Sequence, residues 1–193
     1  MYLAQEEDKE IVIDILLQSF RNNKSVHYIV KQDEQLNKRL RYLMSYSFDL
    51  CFHFGKVLLS DRKDACALIT YPHRKKNLLK SIRMDIGLLI NTIGIFKLGK
   101  AIKREALIKA NYPVQDFLYL WFIGVKPHMQ GQGVGSDLLN QVLQEAKATH
   151  LDVHLETSTL TNLPWYRKFG FEIYKELDFG YTLHMLRWRK EKV

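Results

Sequence analysis

The chain has 193 residues, of which 47% are hydrophobic and 26% charged, and carries a net charge of +8. That length and balance support one domain with a sizeable core and exclude a fibrous or largely disordered chain. The two cysteines, Cys51 and Cys66, lie in no C-x-x-C pair, and the seven histidines show neither HExxH nor any Cys/His ligand spacing, so no metal is expected.

No secretory signal precedes the acidic start Glu6-Glu7-Asp8, so a reducing cytoplasm is the expected setting. Residues 8–20 place Ile11, Ile13, Ile15, Leu16, Leu17 and Phe20 at helical spacing, which predicts a first helix. A second is predicted over 33–50. Gly55–Ser60 and Ala65–Tyr71 read as strands joined by a hairpin-like turn, Asp61-Arg62-Lys63-Asp64. Residues 77–110 are mostly helical in pattern, with Gly87, Gly94 and Gly99 as expected breaks, and Asn111-Tyr112-Pro113 ends the region.

Residues 74–110 contain ten basic residues against only Asp85 and Glu105, which accounts for the whole net charge. This basic helical insertion, about 74–112, includes the apolar run Ile86–Phe96. That run is shorter than the ~20 apolar residues a membrane span needs. Three readings stay open: an amphipathic helix pair covering the sheet or an acceptor pocket, contact with an anionic membrane or nucleic acid, and attraction of anionic ligands. The first is the expectation, so neither nucleic acid nor membrane is an expected partner.

Leu118–Val125 is apolar throughout and reads as a central strand. It runs into Gln130-Gly131-Gln132-Gly133-Val134-Gly135-Ser136, and a helix is predicted over roughly 134–149 from Val134, Leu138, Leu139, Val142, Leu143 and Ala146. Strand, glycine loop and helix in that order make a phosphate cradle, because glycine permits close approach and the first helical N–H groups lack partners. No Lys follows the glycines, which excludes a Walker loop. The dinucleotide fingerprint fails in both frames, at Ser136 and at Leu138. A further strand, His150–Thr157, a helix, and strands Phe171–Lys175 and Tyr181–Arg189 complete an α/β pattern around a mixed sheet.

The runs Val125-Lys126-Pro127-His128-Met129-Gln130-Gly131-Gln132-Gly133-Val134-Gly135, Leu155-Glu156-Thr157-Ser158 and Asn162-x-x-x-Tyr166-x-x-x-Gly170-Phe171 resemble the GNAT superfamily of acetyl-CoA-dependent N-acetyltransferases. The last two runs are most similar to its puromycin-acetyltransferase-like members. The resemblance covers residues 117–189 well; the first half matches only in its order of elements. It implies one acetyltransferase domain over residues 1–193, with a mixed, mostly antiparallel sheet flanked by helices. Its fourth and fifth strands, 118–125 and 152–157 here, would splay apart.

By the same resemblance, acetyl-CoA is the co-substrate. Backbone groups around Ile123, Gly124 and Val125 would pair with its pantetheine arm, and one N–H of that strand would face the thioester oxygen. Gln130, Gly131, Gln132, Gly133, Val134, Gly135 and Ser136 would hold its phosphates, and Asn162 and Tyr166 would meet the arm and the sulfur. Gln130 either braces the loop or binds phosphate, and Asn162 equally suits a helix cap. A phenol of pKa about 10 sits above a thiol at about 8.5, so Tyr166 is expected to stabilise the leaving thiolate by a hydrogen bond.

The amine must lose a proton, which at pKa about 10.4 costs roughly 4 kcal/mol near neutral pH. Many protein-modifying members of the family place a carboxylate on the fourth strand for this. Tyr119 occupies that place here, and Glu156 is the remaining candidate base, ahead of His128 and His184. Tyr119, Trp121, Trp165 and Trp188 are available to frame the acceptor. The expected function is acetyl transfer to a primary amine of a small molecule. A protein-lysine or N-terminal acetyltransferase and a non-catalytic acyl-CoA-binding regulator are the alternatives, and both monomer and homodimer stay open.

Overall fold

The computed structural model describes residues 1–74, 85–93 and 95–190. Seven strands form one sheet: β1 (Tyr2–Leu3), β2 (Gly55–Leu59), β3 (Ala65–Thr70), β4 (Phe117–Val125), β5 (Asp152–Thr157), β6 (Glu172–Asp178) and β7 (Thr182–Trp188). Their order is β1-β2-β3-β4-β5-β7-β6. Every neighbouring pair is antiparallel except β4 and β5. The helices are α1 (Lys9–Phe20), α2 (Lys24–Ile29), α3 (Leu36–Phe54), α4 (Ile95–Ala110), α5 (Val134–Ala148) and α6 (Leu163–Lys168). This is the mixed, mostly antiparallel α/β architecture expected from the sequence.

Two cores sandwich the sheet. On one face, Val12, Ile15 and Leu16 of α1 and Leu43, Met44 and Phe48 of α3 pack on Cys66, Leu68 and Phe122. On the other, Leu138, Leu139 and Val142 of α5, with Tyr166 of α6, pack on Ala67, Leu118, Leu120 and Leu155. β3 is buried at every position, as a central strand between two layers must be. A third cluster ties Ile108 of α4 to Leu177, Leu183 and Met185 of β6 and β7. Local signals set the ends: the Asn23 side chain caps α2 by accepting from Val26 N–H at 3.0 Å, and the β2–β3 turn closes on Ser60 Oγ, which takes the N–H groups of Asp64 and Ala65.

The helical insertion differs from expectation at its glycines. Gly87 lies within helical residues 85–88, and Gly99 lies inside α4, which continues to Ala110. A π-helical turn, Leu89–Ile93, marks the irregularity instead. The break expected at Gly94, and the span 75–84, fall outside the described residues. A mid-helix glycine costs only about 1 kcal/mol, which α4 recovers by packing Ile108. Among the described residues no helix is long and apolar enough to cross a membrane.

Two features of β4 set the shape of the sheet at its centre. Leu68 pairs with Phe122 but Ile69 with Leu120, so Trp121 is the extra residue of a β-bulge. The bulge puts Trp121 and Phe122 on the same face, the α1/α3 side. Gly124 lies under α1, where an added Cβ would sit 2.9 Å from Ser19 Oγ and 3.1 Å from Ser19 Cβ.

These packings make two opposite predictions for glycine-to-alanine changes, read by chemical denaturation. Gly99→Ala, where a Cβ meets nothing within 4 Å, should raise the unfolding free energy by about 1 kcal/mol. Gly124→Ala should lower it by about 1–3 kcal/mol through overpacking against α1.

Candidate active site

The β4–β5 ladder is short. Phe117, Leu118 and Tyr119 pair with Asp152, Val153 and His154, and the pairing stops there although β4 runs on to Val125 and β5 to Thr157. The strands splay, and β4 acquires an open edge. Lys126 N–H donates to Asp64 C=O at 2.8 Å, so alternation turns Gly124 and Phe122 toward β3. Ile123 and Val125 then aim their backbone groups into the gap. Val125 C=O is already taken, by Ser19 Oγ at 3.0 Å and Gln130 Nε2 at 3.0 Å. The N–H of Val125 and both groups of Ile123 are left for something that enters between the strands.

At the end of β4 the chain turns through Pro127–Met129 into the glycine loop. Gly131 (φ +77°) and Gly133 (φ +87°) occupy the left-handed region that favours glycine, and Gly133 caps α5. Ser136 and Asp137 N–H close on Gly133 C=O. Among the described residues, no protein group accepts from the N–H groups of Gly131, Gln132, Gly133, Val134 or Gly135. Five donors at a helix N-terminus form an anion cradle, strengthened by the positive end of the helix dipole. The side chains brace the loop rather than fill it. Gln130 holds Val125 C=O, Gln132 donates to His128 C=O at 2.9 Å, and Ser136 Oγ accepts from Trp165 Nε1 at 3.2 Å.

The gap and the loop open into one cleft of about 1140 Å³. Tyr166, on α6, lines it and is otherwise buried, which pushes its phenol well above the usual tyrosine range. Among the described residues its hydroxyl has no hydrogen-bond partner, so it is a protonated donor facing the cleft. Asn162 also lines the cleft; it stands at the start of α6, yet its side chain makes no capping bond. Ser158 Oγ, at the end of β5, is buried without a partner among the described residues.

Glu156 of β5 faces the same cleft from across the gap. Burial pushes its carboxyl up to about 7, against the Tyr119 hydroxyl and the Arg104 charge, which pull it down. Tyr119 donates directly to Glu156 Oε2, and Tyr112 lines the cleft beside this pair. The Tyr112 and Tyr119 rings lie 5.8 Å apart. Tyr119 on β4 thus holds a carboxylate that belongs to β5. Trp121 and Trp165 line the cleft, whereas Trp188, His128 and His184 are not among its lining residues. His184 is bound to Glu176, with Nδ1 2.8 Å from Oε1.

Sequence reasoning missed Ser19, Tyr112, Arg104 and Tyr46. Each reaches the cleft by tertiary packing from a helix or loop whose local pattern announces only an ordinary core or surface position.

Residues 92–173 match the family described as the acetyltransferase (GNAT) domain. Solved structures share the fold over nearly the whole chain. The histone acetyltransferase HPA2 and related acetyltransferase of Corynebacterium glutamicum is 18% identical, with 99% of this chain and 96% of that one covered at a TM-score of 0.70. Arylalkylamine N-acetyltransferase 2 of Aedes aegypti is 15% identical, with 97% of each chain covered at 0.64. The Drosophila melanogaster polyamine N-acetyltransferase is 13% identical, with 98% and 99% covered at 0.62. The family match spans β4, the glycine loop and α6, where the open strand edge, the free amides and the cleft tyrosine meet, so this part of the chain is similar to a GNAT acetyltransferase domain and the whole chain shares the fold of the acetyltransferases named above.

Proposed function

We propose that the protein transfers an acetyl group from acetyl-CoA to a primary amine of a small molecule by direct attack on the thioester. The observation that carries this reading is the single cleft joining five free loop amides, the open edge of β4, the Tyr166 hydroxyl and the Glu156 carboxyl. The amides from Gly131 to Gly135 suit the diphosphate. The free groups of Ile123 and Val125, with Asn162 and Ser158, suit an amide-bearing arm. The open strand N–H groups also supply a donor for the thioester oxygen.

Tyr166 stays protonated through the reaction. Its raised pKa makes full transfer to a thiolate of pKa about 8.5 unfavourable, so it acts by donating a hydrogen bond to the departing sulfur. Glu156 accepts the proton of the amine. A carboxylate raised from 4.5 to about 7 lies nearer an alkylammonium at 10.4, which lowers the cost of that transfer by about 3 kcal/mol. Tyr119, with the Tyr112 ring packed against it, holds the carboxylate at the gap. Aromatic side chains lining the cleft, with a tyrosine where protein-modifying relatives place a carboxylate, support a small acceptor of the kind taken by the puromycin-acetyltransferase-like members.

The test mixes the purified protein with acetyl-CoA, a thiol-reactive dye, a panel of small amines and lysine-bearing peptides. Amine-dependent thiol release is expected with small amines. Binding of acetyl-CoA without release would reject catalysis, and release only with peptides would move the reading to protein acetylation. Tyr166→Phe should reduce kcat roughly 10²-fold. Its calorimetric affinity for coenzyme A should stay within about twofold, since the loop amides are untouched.

The pH profile gives a separate check. Glu156 is a base only when ionised, so kcat/KM should fall as pH drops through about 7. The substrate amine adds its own rise toward its pKa. Glu156→Gln should remove the inflection near 7 and leave the substrate limb; an unchanged inflection would exclude Glu156 as the base.

A further inference from the structure

We propose that the acceptor is an amine carrying a second positive charge, and that Asp85 and Glu105 recognise that charge on the Glu156 side of the cleft. The inference rests on the acetyl-transfer reading and narrows its substrate class. Asp85 and Glu105 are the two acidic residues of the strongly basic segment 74–110, and both line the cleft.

The wall between Glu156 and Asp85 is a continuous aromatic band. Tyr119 donates to Glu156. Trp121 follows two residues later on β4 and meets Tyr46 edge to face, ring centres 6.1 Å apart. The Tyr46 hydroxyl donates to Asp85 Oδ1 at 2.6 Å. Glu105, on α4, lines the same cleft as Tyr46, Tyr112, Tyr119 and Glu156. Aromatic faces and carboxylates together attract ammonium groups and repel acceptors bearing carboxylate or phosphate.

Of the cations lining the cleft, Arg104 is bonded to neutral hydroxyls and keeps its charge, as Asp85 does, while Lys109 faces Glu105. Arg104 donates to Ser25 Oγ at 2.6 Å and to Tyr181 Oη at 3.1 Å, with Phe179 beside its guanidinium. Lys109 pairs with Glu105 at 3.4 Å, an exposed contact that a bound ammonium can share. Asp85 Oδ1 accepts from a neutral phenol, so its negative charge is not cancelled there.

The experiment compares putrescine, butylamine and phenethylamine, both as acceptors with acetyl-CoA and as calorimetric ligands at low ionic strength. The inference expects kcat/KM for putrescine about 3- to 10-fold above that for butylamine, a preference that shrinks with added salt. Asp85→Asn should raise KM for putrescine several-fold, leave kcat unchanged and leave butylamine unaffected. Glu105→Gln should act in the same direction. Equal kcat/KM for putrescine and butylamine, a preference for phenethylamine, or an equal effect of Asp85→Asn on all three amines would overturn it. Acetylation of butylamine and putrescine at equal rates defeats this inference and leaves acetyl transfer standing. Selective binding of putrescine without acetyl-CoA consumption by any amine supports it and defeats acetyl transfer.

Discussion

The early end of the β4–β5 ladder is the constraint on which the molecule turns. Two parallel strands that pair for three residues and then part leave one edge of β4 without a backbone partner in the middle of the fold. Elsewhere that arrangement would be a defect, because unpaired peptide groups away from bulk water are unfavourable. Here the opposite edge of β4 stays paired with β3 from Tyr119 to Val125, so the strand is held rigid while its other side remains available. The end of the open edge is fixed as well, since α1 and the loop both bind Val125 C=O. The loop amides, the β5 carboxylate and the α6 phenol are useful because they converge on a strand that cannot close.

Much of this was legible in the chain. Gly131 and Gly133 announce themselves because their backbone angles favour glycine, and an amphipathic helix comes directly after them. Asn162 and Tyr166 stand at recognisable spacing, and Glu156 was identifiable as the carboxylate nearest the gap. The bulge was not. Leu118–Val125 is apolar at every position, so no alternation exists whose interruption would betray an extra residue. β1 and α2 are too short to carry a periodic signal. The link from Tyr119 to Glu156 joins strands far apart in sequence, and no local rule connects them. Gly124, expected beside the cofactor, lines the cleft, but its own requirement is the contact with Ser19. Gly99 misled because a helix with a packed face absorbs a glycine at small cost.

Charge is sorted in the same spirit as backbone polarity. The excess positive charge of the chain sits in one segment, and that segment brings both of its acids, together with Arg104 and Lys109, to the cleft. A strongly basic protein can therefore carry a positive field at long range and still place carboxylates inside its cleft at short range. The two fields do not cancel where it matters, since screening confines each carboxylate to its own neighbourhood.

The bulge at Trp121 has a consequence for how this strand can vary over generations. Ahead of it, Leu118 and Leu120 point toward α5; beyond it, Ile123 and Val125 do. Losing that single surplus residue would restore an unbroken ladder with β3 and improve the pairing locally. It would also exchange inside and outside for everything on one flank, sending aromatic side chains from the cleft into the oily layer under α5 or drawing aliphatic ones out of it. Point replacements along β4 are consequently far more accessible to drift than any change in its length.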